Sequence, residues 1–321
     1  MSAYLWIMTA GSAAIFALYG LRCAMAERLP ELRKSAWLNA LLSFVLSAAF
    51  GAILARIGYA LLMSELDFEY EGIDALGQLL EFEIDTVSFI CGALGVVLGV
   101  LLANRLTRKG SVFIGMDAFA PFGALLAALF RLGELFFGSY GAGGNLPDGS
   151  FFAFFPFAVQ INVAGGYSYW AWAICVLSAF FALVWAGIAF FKLRSFGRAG
   201  LSFTLTLFFL ALPQVLCESM RHNVSMLWLF VHVEELLCVL VLAGVMLFWI
   251  LKSGGNLSFL RRWTPFGVLL LCIGLLVGVE FAIDGKYFGL PVPVCYGIMI
   301  AVLAVIGWAG VAAARRYNEE P

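Results

Sequence analysis

The chain has 321 residues, 63% of them hydrophobic and 12% charged, with a formal net charge of −1. A balance this apolar excludes an ordinary soluble domain and identifies a polytopic membrane protein. The apolar runs are continuous, not alternating, which excludes a membrane barrel and leaves helices, whose backbone groups are satisfied within each span.

A bilayer core takes about 20 apolar residues per helix. Windows of that length predict an all-α transmembrane bundle of nine spans, at residues 4–24, 36–63, 85–104, 112–138, 170–194, 199–220, 225–251, 264–283 and 290–314. The first has no Lys or Arg ahead of it, so it is expected as a retained helix and not a cleaved signal peptide. Between the second and third spans falls an acidic segment, with Glu65, Asp67, Glu69, Glu71, Asp74, Glu81, Glu83 and Asp85, expected as a solvated outer loop over 65–84. After the fourth comes the longest non-helical piece, 139–169, where "GSYGAGG" and "FFAFFPF" predict a loop lying on the interface or dipping into it. Cys23, Cys91, Cys175, Cys217, Cys238, Cys272 and Cys295 are scattered singly without a CxxC pair, a pattern of small core residues that is neither a disulfide framework nor a zinc site.

Basic residues set the expected orientation. With the N-terminus outside and the C-terminus inside, the inner connections hold all but four of the 19 Lys and Arg: Arg22, Arg28, Arg33 and Lys34; Arg105, Arg108 and Lys109; Lys192, Arg194 and Arg198; Lys252, Arg261 and Arg262; Arg315 and Arg316. Topology thus explains the basic residues, and nothing points to nucleic acid. Lys286 falls in a short outer loop. Arg56, Arg131 and Arg221 remain, inside spans or at their outer ends, where a charge is costly and needs a partner or a task.

Direction along each span places the polar set in the outer half. Arg56 and Tyr59 come late in the second span, Arg131 and Glu134 late in the fourth, and Glu218 and Arg221 at the end of the sixth. His232, Glu234 and Glu235 are expected about two turns into the seventh, and Glu280 near the outer end of the eighth. Arg131 and Glu134, Glu218 and Arg221, and His232 and Glu235 are each three residues apart, hence on one helical face and expected to pair. Together they predict a polar, water-reachable cavity; taken singly, each pair also suits an interhelical strut. Asp117, near the inner mouth of the fourth span, is expected to satisfy a helix terminus or an inner Arg. Pro213 is expected to kink the sixth span. "HVEE" holds half of a carboxylate-bridged metal motif, but no second Glu-x-x-His occurs, so no metal or other cofactor is expected.

Several stretches resemble bacterial prolipoprotein diacylglyceryl transferases in order and spacing: "YG" at Tyr19, "ARIGY" at 55–59, "SFICGALG" at 88–95, "MDAFAPFGALLAALFRLGELFFG" at 116–138 and "VLCESMR" at 215–221. The fourth span is similar to the family signature Gly-Arg-Ile-Gly-Asn-Phe-x-Asn-Gly-Glu, retaining Arg131, Gly133 and Gly138. Phe130, Glu134, Phe137 and Ser139 stand at its other polar or glycine positions. The family's His-Gly-Gly is here Ile90, Cys91 and Gly92; its His-Pro-x-Gln-Leu-Tyr-Glu stretch is "YSYWAWA", 167–173; and Gln214 stands in place of a further arginine. The chain therefore resembles a divergent member, with a seven-helix core over 1–251 and two additional helices over 252–321.

That resemblance implies a multi-pass protein of the bacterial plasma membrane. It would transfer the diacylglyceryl group of phosphatidylglycerol to the thiol of a lipobox cysteine in a prolipoprotein, or to another acceptor. The reaction needs a cation for the lipid phosphate and a base for the thiol. Arg131 is the expected phosphate clamp, since a planar guanidinium binds two phosphate oxygens, and Arg221 is second. Tyr19, Arg56 and Tyr59 are expected at the headgroup, with Gly133, Gly138, Gln214, His232 and Glu235 as further substrate contacts. Glu134, Glu218 or the His232 and Glu235 pair would be the base. The other reading is a protein on the same scaffold that binds or handles anionic lipid without catalysis.

Overall fold

A computed structural model describes residues 2–26, 33–62, 87–108, 111–147, 149–163, 167–192, 198–222, 227–228, 231–253, 259–283 and 289–319. The acidic segment 65–84, Asp85, Arg28, Lys109, Arg194 and Lys286 lie outside these residues. Among the described residues nine helices are long and apolar enough to cross a membrane. They are α1 (Ser2–Ala24), α2 (Ala36–Leu62), α3 (Phe89–Thr107), α4 (Val112–Gly133), α5 (Ile174–Phe191), α6 (Leu201–Ser219), α7 (Val233–Lys252), α8 (Phe259–Ile283) and α9 (Val292–Glu319). The all-α bundle is as the hydropathy windows predict.

Boundaries differ from the windows in several places, and three of the differences bear on the site. α4 ends at Gly133 and tightens into a 3-10 helix, Glu134–Gly141, where Gly138 takes φ +62°. The run that reads as the start of the fifth span is instead a strand: β1 (Ala158–Val163) pairs antiparallel with β2 (Tyr167–Trp172). The seventh span likewise opens with a two-residue ribbon, β3 (Leu227–Trp228) against β4 (Val231–His232), so His232 is the N-cap of α7 and not two turns inside it. Hydropathy cannot separate a short apolar strand from a buried helix turn. α6 runs as one helix through Pro213.

In lipid the helices are held by close packing and not by burial from water. α2 and α3 approach most closely through small residues: a Cβ on Gly99 would stand 2.6 Å from Ser47 Cα. One cluster of buried side chains joins α1 to α4 around Phe16, Tyr19, Val100, Met116, Phe119 and Phe122. A second joins α6, α7, α8 and α9 around Phe208, Leu242, Met246, Trp249, Leu269 and Met299. α8 and α9 are thus integral to the packing. Tyr317 Oη donates to Ala199 O at 3.2 Å and Tyr296 Oη to Ser219 O at 3.4 Å, tying α9 to both ends of α6. Asp117 caps α6, accepting from Gly200 N at 2.6 Å and Phe203 N at 2.8 Å, the helix-terminus role expected of it.

Candidate functional site

α4 and α6 end at the same end of the bundle at which α7 begins, and each delivers charge there. Arg131 sits on the last turn of α4, with Glu134 three residues on where the helix tightens. Glu218 lies in the last turn of α6 and Arg221 follows it. Both i, i+3 pairs form: Arg131 Nη1 to Glu134 Oε1 at 2.7 Å, and Arg221 Nε to Glu218 Oε2 at 3.2 Å.

The two pairs also cross-link. Arg131 Nη2 meets Glu218 Oε1 at 2.5 Å and Arg221 Nη2 meets Glu134 Oε2 at 2.6 Å. The result is a closed ring, Arg131, Glu134, Arg221, Glu218, in which each carboxylate bridges both guanidiniums. Its formal charge is zero. Exposures of 1% for Arg131, 2% for Glu218, 4% for Glu134 and 7% for Arg221 mean that all four charges have left solvent, which is tolerable only because each is paired on both sides. The sequence leads one to expect a water-reachable chamber around these groups; the structure encloses them, because two pairs of opposite sign neutralise one another.

Further groups complete the surroundings. Gln214 Oε1 accepts from Arg131 Nη2 at 2.9 Å and from Ser178 Oγ at 3.2 Å. The Phe89 ring lies under the Arg131 guanidinium, its centroid 3.7 Å from Cζ, and the Tyr140 ring faces Arg221 at 5.8 Å. His232 Nδ1 is 2.6 Å from the backbone carbonyl of Glu218. Glu234 Oε2 accepts from Ile90 N at 3.0 Å, placing a carboxylate from α7 on the N-terminal turn of α3, where a helix favours negative charge.

Arg131, Glu134, Glu218, Arg221, Gln214 and His232 are therefore brought together. Gly133 is pressed against α1: a Cβ there would stand 2.9 Å from Met8 Sδ. Gly138 serves backbone geometry, since its φ of +62° disfavours any side chain while a Cβ would meet nothing within 4 Å. Arg56 lies over the Tyr59 ring at 5.7 Å, and Tyr59 packs on Val233, so this pair stands beside the start of α7. Glu235 is buried, and the carboxylate acting on it most strongly is Glu280 of α8, not a charge of the ring; the expected pairing with His232 gives way to the His232 contact with the Glu218 carbonyl.

Tyr19 lies elsewhere. It is fully buried toward the opposite end, where its hydroxyl donates to Asn39 Oδ1 at 3.0 Å and accepts from Arg108 Nη2 at 3.4 Å. Asn39 also donates to Asn104 Oδ1 at 3.3 Å and Thr107 Oγ1 at 2.7 Å. This network of α1, α2 and α3 was not foreseen, because Arg108 reads simply as one basic residue of an inner connection. Phe89 and Tyr140 were also missed; the only signal was an aromatic beside each turn of the resembling stretches.

The family model described as prolipoprotein diacylglyceryl transferase matches residues 4–251. The chain belongs to the prolipoprotein diacylglyceryl transferase family. No curated protein and no solved structure matches the chain. The family match takes in every member of the charged ring, as well as His232, and stops at the end of α7, before α8 and α9. Membership carries a transferase-like function in a multi-pass membrane protein, with lipid and prolipoprotein as the family's substrates.

Proposed function

We propose that the chain transfers the diacylglyceryl group of phosphatidylglycerol to the thiol of a lipobox cysteine at the plasma membrane of a bacterium. Residues 4–251 provide the catalytic core, and α8 and α9 brace α6 and α7. The observation that carries this reading is that two arginines of the matched region, Arg131 and Arg221, share the same two carboxylates at one end of the bundle.

A lipid phosphate entering this ring must replace a carboxylate arm, and the arms are unequal. Three of the ion-pair contacts are 2.5–2.7 Å, whereas Arg221 Nε to Glu218 Oε2 is 3.2 Å. A charge-assisted bond weakens as it lengthens past about 2.9 Å. Arg221 is then the cation that meets the phosphate first, and Arg131, with both terminal nitrogens engaged, holds the carboxylates in place. This reverses the order expected from the signature.

A second reading has its own support: a ring of zero net charge, and Ile90 where the family pattern carries histidine, suit a protein that binds anionic lipid without transferring it. Expression in a bacterium depleted of its own diacylglyceryl transferase separates the two. Restored lipoprotein modification, lost in Arg221→Ala and Arg131→Ala, is the result expected of the transferase. No modification by the wild type, together with retained phosphatidylglycerol binding by the purified protein, would establish the second reading.

A further inference from the structure

We propose that His232 is the proton acceptor of the transfer, held by the Glu218 backbone in the tautomer that leaves Nε2 free to accept. This rests on the transferase reading above. The first ground is chemical. A carbonyl oxygen carries no proton, so the 2.6 Å contact between His232 Nδ1 and Glu218 O requires the hydrogen to be on Nδ1. A neutral ring so held carries its lone pair on Nε2, which has no hydrogen-bond partner among the described residues.

The second ground is what the neighbouring carboxylates are doing. All four carboxylate oxygens of Glu134 and Glu218 face guanidinium nitrogens. Glu234 gives Oε2 to Ile90 N, and Glu235 is buried toward Glu280. His232 is only half-buried at the N-cap of α7, beside the ring but outside it. The chain has one other histidine, His222, which is exposed at the turn after Arg221.

The third ground is position. Glu218 contributes its carboxylate to both arginines and its carbonyl to the imidazole, so one residue sets base and cations in register. Two residues beyond His232, Glu234 docks on Ile90 N, bringing the start of α7 against the stretch in which the family pattern carries a histidine.

In the step itself the acceptor S–H proton passes to Nε2. The thiolate forms a C–S bond to the glycerol carbon of the diacylglyceryl group as that carbon's bond to the phosphate oxygen breaks. The electron pair stays on that oxygen, glycerol phosphate departs facing Arg221, and the imidazolium proton passes to the departing phosphate or to water.

The test uses the full chain in phosphatidylglycerol-containing vesicles with a lipobox peptide, following thioether formation against pH. His232→Asn keeps a donor for the Glu218 carbonyl but removes Nε2. It is expected to lower kcat by roughly 10²–10⁴-fold with little change in KM. His222→Gln should match the wild type. Nitrogen-15 spectra of the neutral wild type should show the proton on Nδ1. A His232→Asn variant with near wild-type kcat, or a proton found on Nε2, overturns the assignment while leaving the transferase reading in place. A wild type that forms no thioether overturns both.

Discussion

Neutralising one member of each sign in the ring should destabilise the protein by less than the two single neutralisations added together. Arg131→Met removes three contacts of 2.5–2.9 Å, to Glu218, Glu134 and Gln214, while retaining a side chain of similar reach beside Phe89. Two buried carboxylates then share one guanidinium, and breaking a buried pair in this way costs about 3–5 kcal/mol. Glu134→Gln leaves the opposite imbalance, two guanidiniums against one carboxylate, at a cost of about 1–3 kcal/mol. The double variant restores neutrality through Arg221 and Glu218, so its loss should fall short of the sum of the singles by about 1–3 kcal/mol. Unfolding in mixed micelles, followed by tryptophan fluorescence, gives the three values. Arg131→Met combined with Asp117→Asn, at the far end of α4, should be additive and serves as the control. Additivity within about 0.5 kcal/mol for Arg131→Met with Glu134→Gln would refute the ring as one electrostatic unit.

Three further outcomes are expected. Arg108→Met should lower stability by about 1–3 kcal/mol by releasing Tyr19, Asn39 and Cys23 from one guanidinium, yet leave the kinetics of transfer unchanged; a selective loss of kcat would place Tyr19 in the reaction after all. Gly138→Ala should cost about 1–3 kcal/mol in the same unfolding assay, wholly from backbone strain, since the added methyl has open space; a neutral result would mean that the 3-10 turn has an alternative conformation. Asp117→Asn should cost about 1 kcal/mol and speed hydrogen exchange at Gly200 and Phe203 while sparing Arg221.

The spans were legible because lipid imposes one requirement on every residue of a run, and the i, i+3 spacing of Arg131 with Glu134 and of Glu218 with Arg221 was legible because it is local. Fusion of these pairs into a ring was not, since it depends on α4 and α6 ending side by side, a tertiary fact. The start of α7 was misplaced because "LWLFV", 227–231, is apolar throughout, and nothing in it marks that the helix begins only beyond it. Tyr19 differs in kind. Its motif resembles a family stretch, but α1 and α4 run antiparallel, with Gly133 against Met8 and Phe119 against Tyr19, so residue 19 of a helix spanning 2–24 lies at the far end from Arg131. α8 begins five residues earlier than its apolar window because Arg262 reaches back to cap α7, donating to Ile250 O at 2.7 Å, so a charge that ends a hydropathy window does not end the helix.

The two arginines differ in what holds them, and that bears on how a neutral ring can work on an anionic lipid. Arg131 projects from within α4, with Phe89 of α3 beneath it and three hydrogen-bonding oxygens of α6 and the 3-10 turn around it, so moving it means moving the bundle. Arg221 stands past the end of α6. Its backbone bridges to Gly143, whose N–H donates to Trp172 O of β2 at 2.7 Å, and the neighbouring His222 N donates to Ala142 O at 3.4 Å. A phosphate that draws Arg221 away from Glu218 along its longest contact is therefore felt in the 142–145 stretch and the β1–β2 ribbon, not in the core. It also frees a Glu218 oxygen while leaving the Glu218 carbonyl on His232. Opening at Arg221 would expose a cation to the lipid and keep the base oriented for the thiol; opening at Arg131 would do neither without unpacking α4.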